Sequence, residues 1–382
     1  MIQGIAIHMR QARSLVSKIY SDRPYQPLIS EGYKGILKIV IPKNVDLTNQ
    51  VINTERESDL KRIVDCFDAP IYFAYGYGSG VFEQAGYQNK RLARPQIDLI
   101  HIVEDPQKFH EANLRQFLDH YSFLKFLSAG SIAEIQNLGV GLYFNPFAVI
   151  DNSLIKYGVI SVDKTLLDLS EWSSLYLAGR LQKPVKYLVD KETTTHPMIK
   201  FLNQFNLKNA MTLAILLLKK DHFNEIELYE AIANISYVGD FRNLIGGENP
   251  NKVKNIVNKQ YDNFKILYEP ILAYFIDKGF IEVMRDEDGI KKFRKILNAE
   301  SKSFLISKMP IQFRRNLYQL YKDKSIREIA RDNNLNINLN RVVKKIVRVP
   351  SLVQLLKGIL TAGPVKSFRY ALEKNMKFRT AQ

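Results

Sequence analysis

A chain of 382 residues, 46% of them hydrophobic, is long enough for two or three folded domains and too apolar for a disordered polymer. Its single cysteine, Cys66, excludes an internal disulfide and points to a reducing compartment. The longest obvious apolar run, residues 210–218, is stopped by Lys219 and Lys220, which excludes a bilayer-crossing helix. The formal charge of +16 calls for an anionic partner: nucleic acid, nucleotide phosphates or an anionic membrane. Residues 301–382 hold 18 Lys and Arg against 4 Asp and Glu, so that partner surface belongs to the last fifth of the chain.

In chain order, residues 1–21 carry Arg10, Arg13 and Lys18 with no acid before Asp22, a trait of transit peptides. The Lys, Asn, Ile and Tyr richness fits an AT-rich genome, and an uncleaved bacterial N-terminus is the expectation. Apolar segments at 36–41, 71–75 and 97–103 predict strands, and the polar stretch 53–61 predicts a helix. Spacing predicts a helix over 114–127, then strands at 148–151 and 153–161 about a polar turn, then a helix from about 170 to 181. From His196 the pattern turns to long helices, at 198–219, 225–235, 252–261 and 264–277. Short strands at 280–284 and 292–296 flank Asp288-Gly289, a hairpin turn pair. The fold class is therefore α+β, with an α/β domain over 1–190, a helical winged-helix-like domain over 191–300 and a basic C-terminal region over 301–382.

Tyr75-Gly76-Tyr77-Gly78-Ser79-Gly80-Val81 follows a predicted strand, and its glycines allow backbone N–H groups to approach a triphosphate while Ser79 adds a hydroxyl donor. A glycine-rich turn alone is weak evidence. It gains weight from the next strand, where Asp98 shares a face with Ile100 and Ile102, a costly place for a carboxylate unless a cation satisfies it. Strand, Gly-Ser turn and Asp-bearing strand resemble the polymerase-β-like nucleotidyltransferases, in which the serine contacts phosphate and the acid holds Mg²⁺. That superfamily usually has Asp-x-Asp, and Ile100 fills the second position here. Asp151 is the expected second metal carboxylate, with Glu83, Glu104 and Asp105 as alternatives.

Phosphoryl-type transfer needs positioning and charge neutralisation, so cations must converge on the triphosphate. Lys156, Arg180, Lys183 and Lys186 are the candidates, a solvated basic face being the plain alternative for the two lysines of the 179–186 run. His120 and Ser122, within His120-Tyr121-Ser122, are expected to contact base, phosphate or substrate. His101 has the wrong strand parity to join Asp98. No spacing suggests zinc.

At these residues the chain resembles the mitochondrial-type phosphatidate cytidylyltransferases, the translocator assembly and maintenance family. The resemblance rests on Tyr77-Gly78-Ser79-Gly80-Val81-Phe82, on Ile97-Asp98 followed by Asp105-Pro106, and on His120-Tyr121-Ser122-Phe123-Leu124-Lys125. It continues through the blocks 154–161, 177–186, 236–242 and 357–363. It implies a nucleotidyltransferase domain, a winged-helix domain and a C-terminal membrane-binding helix, catalysing CTP plus phosphatidic acid to CDP-diacylglycerol and pyrophosphate with Mg²⁺. By motif match, Ser79, Gly80, Asp98, Lys156, Arg180 and Lys183 carry over, and Asp240 and Arg242 match a block that would reach the cleft across the domain junction. Eukaryotic members sit on the matrix face of the inner mitochondrial membrane; the expectation here is a bacterial homologue on the cytoplasmic face.

Over 341–358, Val342, Val343, Ile346, Val347, Val353 and Leu356 fall near one helical face flanked by Arg341, Lys344, Lys345, Arg348 and Lys357, an interfacial pattern that Pro350 is expected to break or kink. Val365, Phe368, Leu372 and Met376 form a second amphipathic segment among further cations. Ten basic residues and only Glu373 between Arg341 and Arg379 favour an anionic membrane surface, with no nucleic acid as partner. Two rivals remain: an RNA-modifying nucleotidyltransferase, disfavoured because no aromatic stacking platform accompanies the charge, and a non-catalytic winged-helix nucleic-acid binder, which leaves Asp98 unexplained.

Overall fold

The computed structural model describes residues 45–82, 96–191, 197–240, 251–287, 289–322 and 324–379, with the backbone alone for 285–287 and 362–379. The strand expected at 36–41 lies outside these residues, as do Glu83, Arg242 and Asp288.

Helix α1 (Glu57–Asp65) starts with Glu57 and Asp59 at the positive end of its dipole and buries Leu60, Ile63 and Val64. Strands β1 (Phe73–Tyr77) and β2 (Ile97–Val103) pair antiparallel, with Tyr77 opposite Asp98. Helix α2 (Pro106–Gln116) begins at Asp105, whose carboxylate accepts from the N–H groups of Gln107 and Lys108, with Pro106 in the first turn. Asp105 is thus a helix cap. The helix expected over 114–127 is two elements: α2 ends at Gln116, and a 3-10 segment, Leu118–Phe126, follows, broken by Ser122 at φ 49°.

Ser128 caps α3 (Ala129–Asn137). Strands β3 (Leu142–Ile150) and β4 (Ser153–Ser161) join through Asp151 and Asn152, both at positive φ, as tight hairpin turns require. Their register shifts between Asn145 and Ala148, where Pro146 interrupts the ladder, so the sequence showed only the second half of β3. Helix α4 (Val162–Glu171) stops at Trp172 in the left-handed conformation, and the next helix, α5, spans only Ala178–Leu181. The helix expected from 170 to 181 is therefore mostly a turn structure, whose organiser is described below.

With β5 (Lys186–Asp190) the sheet runs β3-β4-β2-β1-β5, with β2 and β4 parallel and the other neighbours antiparallel. Alternation gives it two faces. Ile97, Leu99, Val103 and Ile155 pack on α1 and α2. Phe73, Tyr75, Ile100, Ile102 and Phe144 join a second core that runs continuously through α4 and α6 (Met198–Leu217) into the remaining helices.

That second half contains β6 (His222–Asn224), α7 (Glu225–Asn234) with an Asn224–Glu227 capping box, α8 (Lys252–Lys259) and α9 (Tyr261–Asp277). Strands β7 (Ile281–Glu287) and β8 (Ile290–Lys295) complete a three-stranded sheet, β6-β8-β7. Then follow α10 (Ala299–Ser307), α11 (Ile311–Tyr321), α12 (Ile326–Ala330) and the 45-residue α13 (Leu335–Arg379).

Helix α13 passes through Pro350 without ending. Proline removes one backbone hydrogen bond. Side chains buried on both sides of it, Val343, Ile346 and Val347 before and Ser351, Gln354 and Lys357 after, hold the helix on the body. The expected interfacial face is therefore split: Val342, Val343, Ile346 and Val347 belong to the core, while Leu356 is exposed. No helix among the described residues is long and apolar enough to cross a membrane.

Candidate active site

The turn after β1 is built by two backbone demands. Gly78 takes φ +78°, and its carbonyl accepts from the N–H groups of Val81 (3.1 Å) and Phe82 (3.2 Å). A Cβ on Gly80 would stand 2.4 Å from the carbonyl oxygen of Gln96, so only glycine lets the turn lie against the start of β2. Thr54 donates its hydroxyl to the Val81 carbonyl at 2.7 Å, and the Arg56 guanidinium donates to the Gly80 carbonyl, bracing the turn from outside. Ser79 is exposed at its apex. A Cβ on Gly78 would lie 3.8 Å from Oδ2 of Asp98, which places the turn directly over that carboxylate.

Asp98 and Lys156 are partners in the parallel β2–β4 ladder, and Lys156 Nζ lies 3.5 Å from Asp98 Oδ1. The two side chains are 31% and 19% exposed, so the carboxylate keeps an open side. Lys156 also rests 4.4 Å from the centre of the Phe144 ring, a cation–π contact that fixes its direction.

Arg180 reaches the same face from α5. Its guanidinium lies 4.1 Å from the Tyr176 ring centre and 5.6 Å from that of Tyr77, and donates to the Tyr176 carbonyl at 2.5 Å. Burial, and after it the nearby charge of Asp98, raises the Tyr77 hydroxyl above its ordinary range. Arg180 Nε finds no protein partner although buried, so a donor is left over for another acceptor.

Lys183 donates to the Gly179 carbonyl and to the Ser236 hydroxyl, the latter at 2.8 Å. Burial first, then the charges of Arg180 and Lys252, lowers its pKa to about 7. A Cβ on Gly179 would fall 2.4 Å from that of Ser236, so the missing side chain is what allows α5 to meet residues 236–240. Asp240, in that stretch, is 3% exposed, and its N–H donates to the Tyr237 carbonyl at 3.2 Å.

The residue that places Arg180 is Asp168, which the sequence reading passed over. Its Oδ1 accepts from the N–H groups of Ser174 (2.7 Å) and Leu175 (2.9 Å) and from the hydroxyls of Ser173 and Ser174; its Oδ2 accepts from the N–H groups of Leu177 and Ala178, both at 2.9 Å. These bonds wind residues 173–178 around one carboxylate and start α5. Its neighbours Leu166 and Leu169 mark the helix face, yet nothing local announces the role. Arg56, Tyr77, Tyr176, Ser236 and Lys252 were missed for the same reason.

Several expected site residues fall elsewhere. Lys186 lies on the opposite face of the sheet, 4% exposed, its Nζ 2.5 Å from Glu57 Oε2 of α1. His120 is buried on that other face too, Nδ1 2.9 Å from the Tyr157 hydroxyl, its ring stacked on Phe117; Ser122 is the break in the same segment. Asp151 sits in the β3–β4 turn, its Oδ2 2.5 Å from Arg62 Nε. Lys156 lies three residue steps along β4 from Ser153, about 10 Å of strand, so Asp151 does not stand beside Asp98. His101 also lies on the far face, edge-on to Phe67 at 4.6 Å, and burial lowers its pKa to about 3. No cluster of three or more His, Cys, Asp or Glu side chains with metal-ligand placement occurs among the described residues.

The residues brought together, among those described, are thus Gly78, Ser79 and Gly80 of the turn, the carboxylate of Asp98, and the cations Lys156, Arg180 and Lys183, on the side of the sheet that meets α5. A family model described as phosphatidate cytidylyltransferase, mitochondrial, matches residues 60–377. Proteins named mitochondrial phosphatidate cytidylyltransferase are similar along most of the chain. The one from Saccharomyces cerevisiae is 37% identical over 342 residues, covering 86% of this chain and 73% of the relative. That from Schizosaccharomyces pombe is 37% identical over 346 residues, covering 85% of each. That from Xenopus laevis is 37% identical over 329 residues, covering 82% and 92%. With the glycine turn, Asp98 and the converging cations all inside the matched region, the chain belongs to the family of mitochondrial phosphatidate cytidylyltransferases.

Proposed function

We propose that the protein joins the cytidylyl group of CTP to phosphatidic acid at a membrane surface, forming CDP-diacylglycerol and pyrophosphate. The observation that carries the reading, beside the family, is the glycine turn lying over Asp98 with Lys156 paired across the parallel strands. A phosphate oxygen of phosphatidate attacks the α-phosphorus of CTP, the bond from that phosphorus to the β-phosphate bridging oxygen breaks, and pyrophosphate leaves with the electron pair. Charge builds on the phosphoryl oxygens and the leaving group, so fixed cations and amide donors lower the barrier. In this reading the Gly78–Gly80 backbone and the Ser79 hydroxyl cradle the triphosphate, Lys156 and Arg180 neutralise the reacting phosphates, and Lys183 and Asp240 bound the site from the helical side.

Mg²⁺ is commonly bound by one or two carboxylates, with phosphate and water oxygens as its other ligands. One partly open carboxylate beside a phosphate cradle fits that habit, and Asp98 would hold the ion. When bound, it would supply charge neutralisation at the phosphates. The five-stranded sheet serves as a nucleotidyltransferase domain, and β6, β7 and β8 with α6, α7 and α9 as a winged-helix-like domain. The exposed face of α13 and the basic residues around it attach the enzyme peripherally. The relatives are named mitochondrial, which favours a mitochondrial membrane over the bacterial cytoplasmic placement.

The test is to incubate the purified protein with each α-labelled nucleoside triphosphate, Mg²⁺ and either phosphatidate vesicles or RNA. Label moving from CTP into lipid is the expected result. Label entering RNA, or no lipid product from CTP, overturns the reading.

A further inference from the structure

The exposed residues of the 3-10 segment Leu118–Phe126 and its flank are unlike an ordinary surface. Phe126 is 83% exposed, Leu118 47%, Phe123 46% and Leu127 40%, while His120, Tyr121 and Leu124 of the same segment are buried. An unbroken 3-10 run would stack positions 120, 123 and 126 on one side. Ser122, at φ 49°, breaks that run, and in consequence His120 turns inward to Tyr157 while the two phenylalanines turn out to solvent. Backbone strain is spent on exposing aromatic rings. Lys125 follows Phe123 and lies 5.7 Å from the Phe126 ring centre, paired with the exposed Asp119 at 3.4 Å.

Helix α13 packs on this segment, and there its polarity inverts. From Ser351 onward the buried positions are Ser351, Gln354, Lys357 and Thr361, with Leu352, Val353 and Leu355 half-buried, while Leu356, Ile359 and Leu360, and Val349 just before Pro350, are 42–64% exposed. Lys357 is turned into the protein, its Nζ donating to the carbonyls of Gln136 (2.9 Å) and Leu138 (2.7 Å) at the end of α3. A helix that buries its amide and ammonium groups and shows its leucines outward is oriented for an apolar neighbour on that outer side. Leu138, 58% exposed, extends the surface, and the exposed Lys344, Lys345 and Arg348 border it one to two turns upstream.

We infer that the 3-10 segment is a second membrane contact, with Phe123, Phe126 and Leu127 entering an anionic bilayer beside the outward face of α13. This rests on the reading that the substrate is a membrane lipid. The occupant is a bilayer because apolar side chains bordered by Lys125, Lys344, Lys345 and Arg348, which outnumber the neighbouring acid Asp119, match acyl chains beneath anionic headgroups, and because two separate elements expose apolar residues where they meet.

Two variants test it in the full-length protein. Trp172 is fully buried, so Phe126→Trp adds one exposed indole as a reporter. With vesicles of phosphatidate and brominated phosphatidylcholine, its emission is expected to shift to the blue and to be quenched. The double variant Phe123→Asp, Phe126→Asp, both at exposed positions, is expected to lower co-sedimentation with the same vesicles by about tenfold. Turnover on bilayer phosphatidate should fall in proportion, with turnover on monomeric short-chain phosphatidate near wild type. An indole that vesicles neither shift nor quench, or wild-type sedimentation of the double variant, overturns the inference, including the case where another protein covers the patch. If the wild type makes no lipid product from CTP with either bilayer or short-chain phosphatidate, the proposed activity falls, while sedimentation and quenching still decide the membrane contact.

Discussion

Asp98 and Lys156 face each other across the parallel β2–β4 pair, with Nζ 3.5 Å from Oδ1 and the glycine turn above them. The lysine holds the carboxylate in place while its open side remains available. Asp98→Asn keeps the volume and removes the charge. Turnover of CTP with phosphatidate is expected to fall by about 10³-fold or more with little change in melting temperature. Near wild-type turnover in a folded variant would remove the proposed centre.

Asp168 is expected to be structural first and catalytic through Arg180. Asp168→Asn turns an amide NH₂ toward backbone donors that now point at an oxygen, leaving buried N–H groups unpaired. The cost is about 3 kcal/mol, from two or more unsatisfied groups. Thermal unfolding should report the loss, and kcat should fall further than CTP affinity because α5 shifts. An unchanged melting temperature would show that residues 173–178 do not depend on this carboxylate.

Lys183 predicts a pH dependence. Its folded pKa of about 7 lies below the ordinary lysine value of 10.5, so between these values the unfolded chain binds a proton that the folded chain does not. Stability therefore rises with pH across that window from this group and is flat below it. Lys183→Met is expected to remove that slope in denaturant titrations run from about pH 7 to pH 10. A slope equal to the wild type's would place the titration elsewhere.

Asp151→Ala is expected to cost little activity, since its carboxylate is engaged by Arg62 in a hairpin turn. An exposed pair of this kind contributes about 0–1 kcal/mol. A thousandfold loss of turnover without unfolding would return Asp151 to the metal site.

Removing residues 365–379 and the three beyond them is expected to abolish turnover on phosphatidate in vesicles and to spare CTP binding. The cleft residues all precede position 365, and the deleted stretch holds Lys366, Arg369, Lys374, Lys377 and Arg379. Calorimetry with CTP and vesicle co-sedimentation at rising salt separate the two effects, since bilayer attraction of the cations weakens with screening. Vesicle turnover equal to the wild type's would make the tail dispensable.

Local pattern alone identified the Gly78–Gly80 turn, the Asp98 strand and Lys156, because a glycine-rich turn after a strand and one carboxylate in an apolar alternation are visible without knowing what packs where. The parity of β2 also excluded His101. The end of α4 escaped because six donors to Asp168, five to ten residues downstream of it, outweigh helical spacing. Tertiary structure decided which side chains share a face with Asp98: Lys186, His120 and Asp151 carry suitable chemistry, yet Lys186 turns to Glu57, His120 to Tyr157 and Asp151 to Arg62, all away from it. It also decided the inversion of α13, where Val342, Val343, Ile346 and Val347 before Pro350 went into the core and Leu356, Ile359 and Leu360 after it outward. Periodicity determines that a helix has two faces; only the surfaces it meets determine which of them turns toward water.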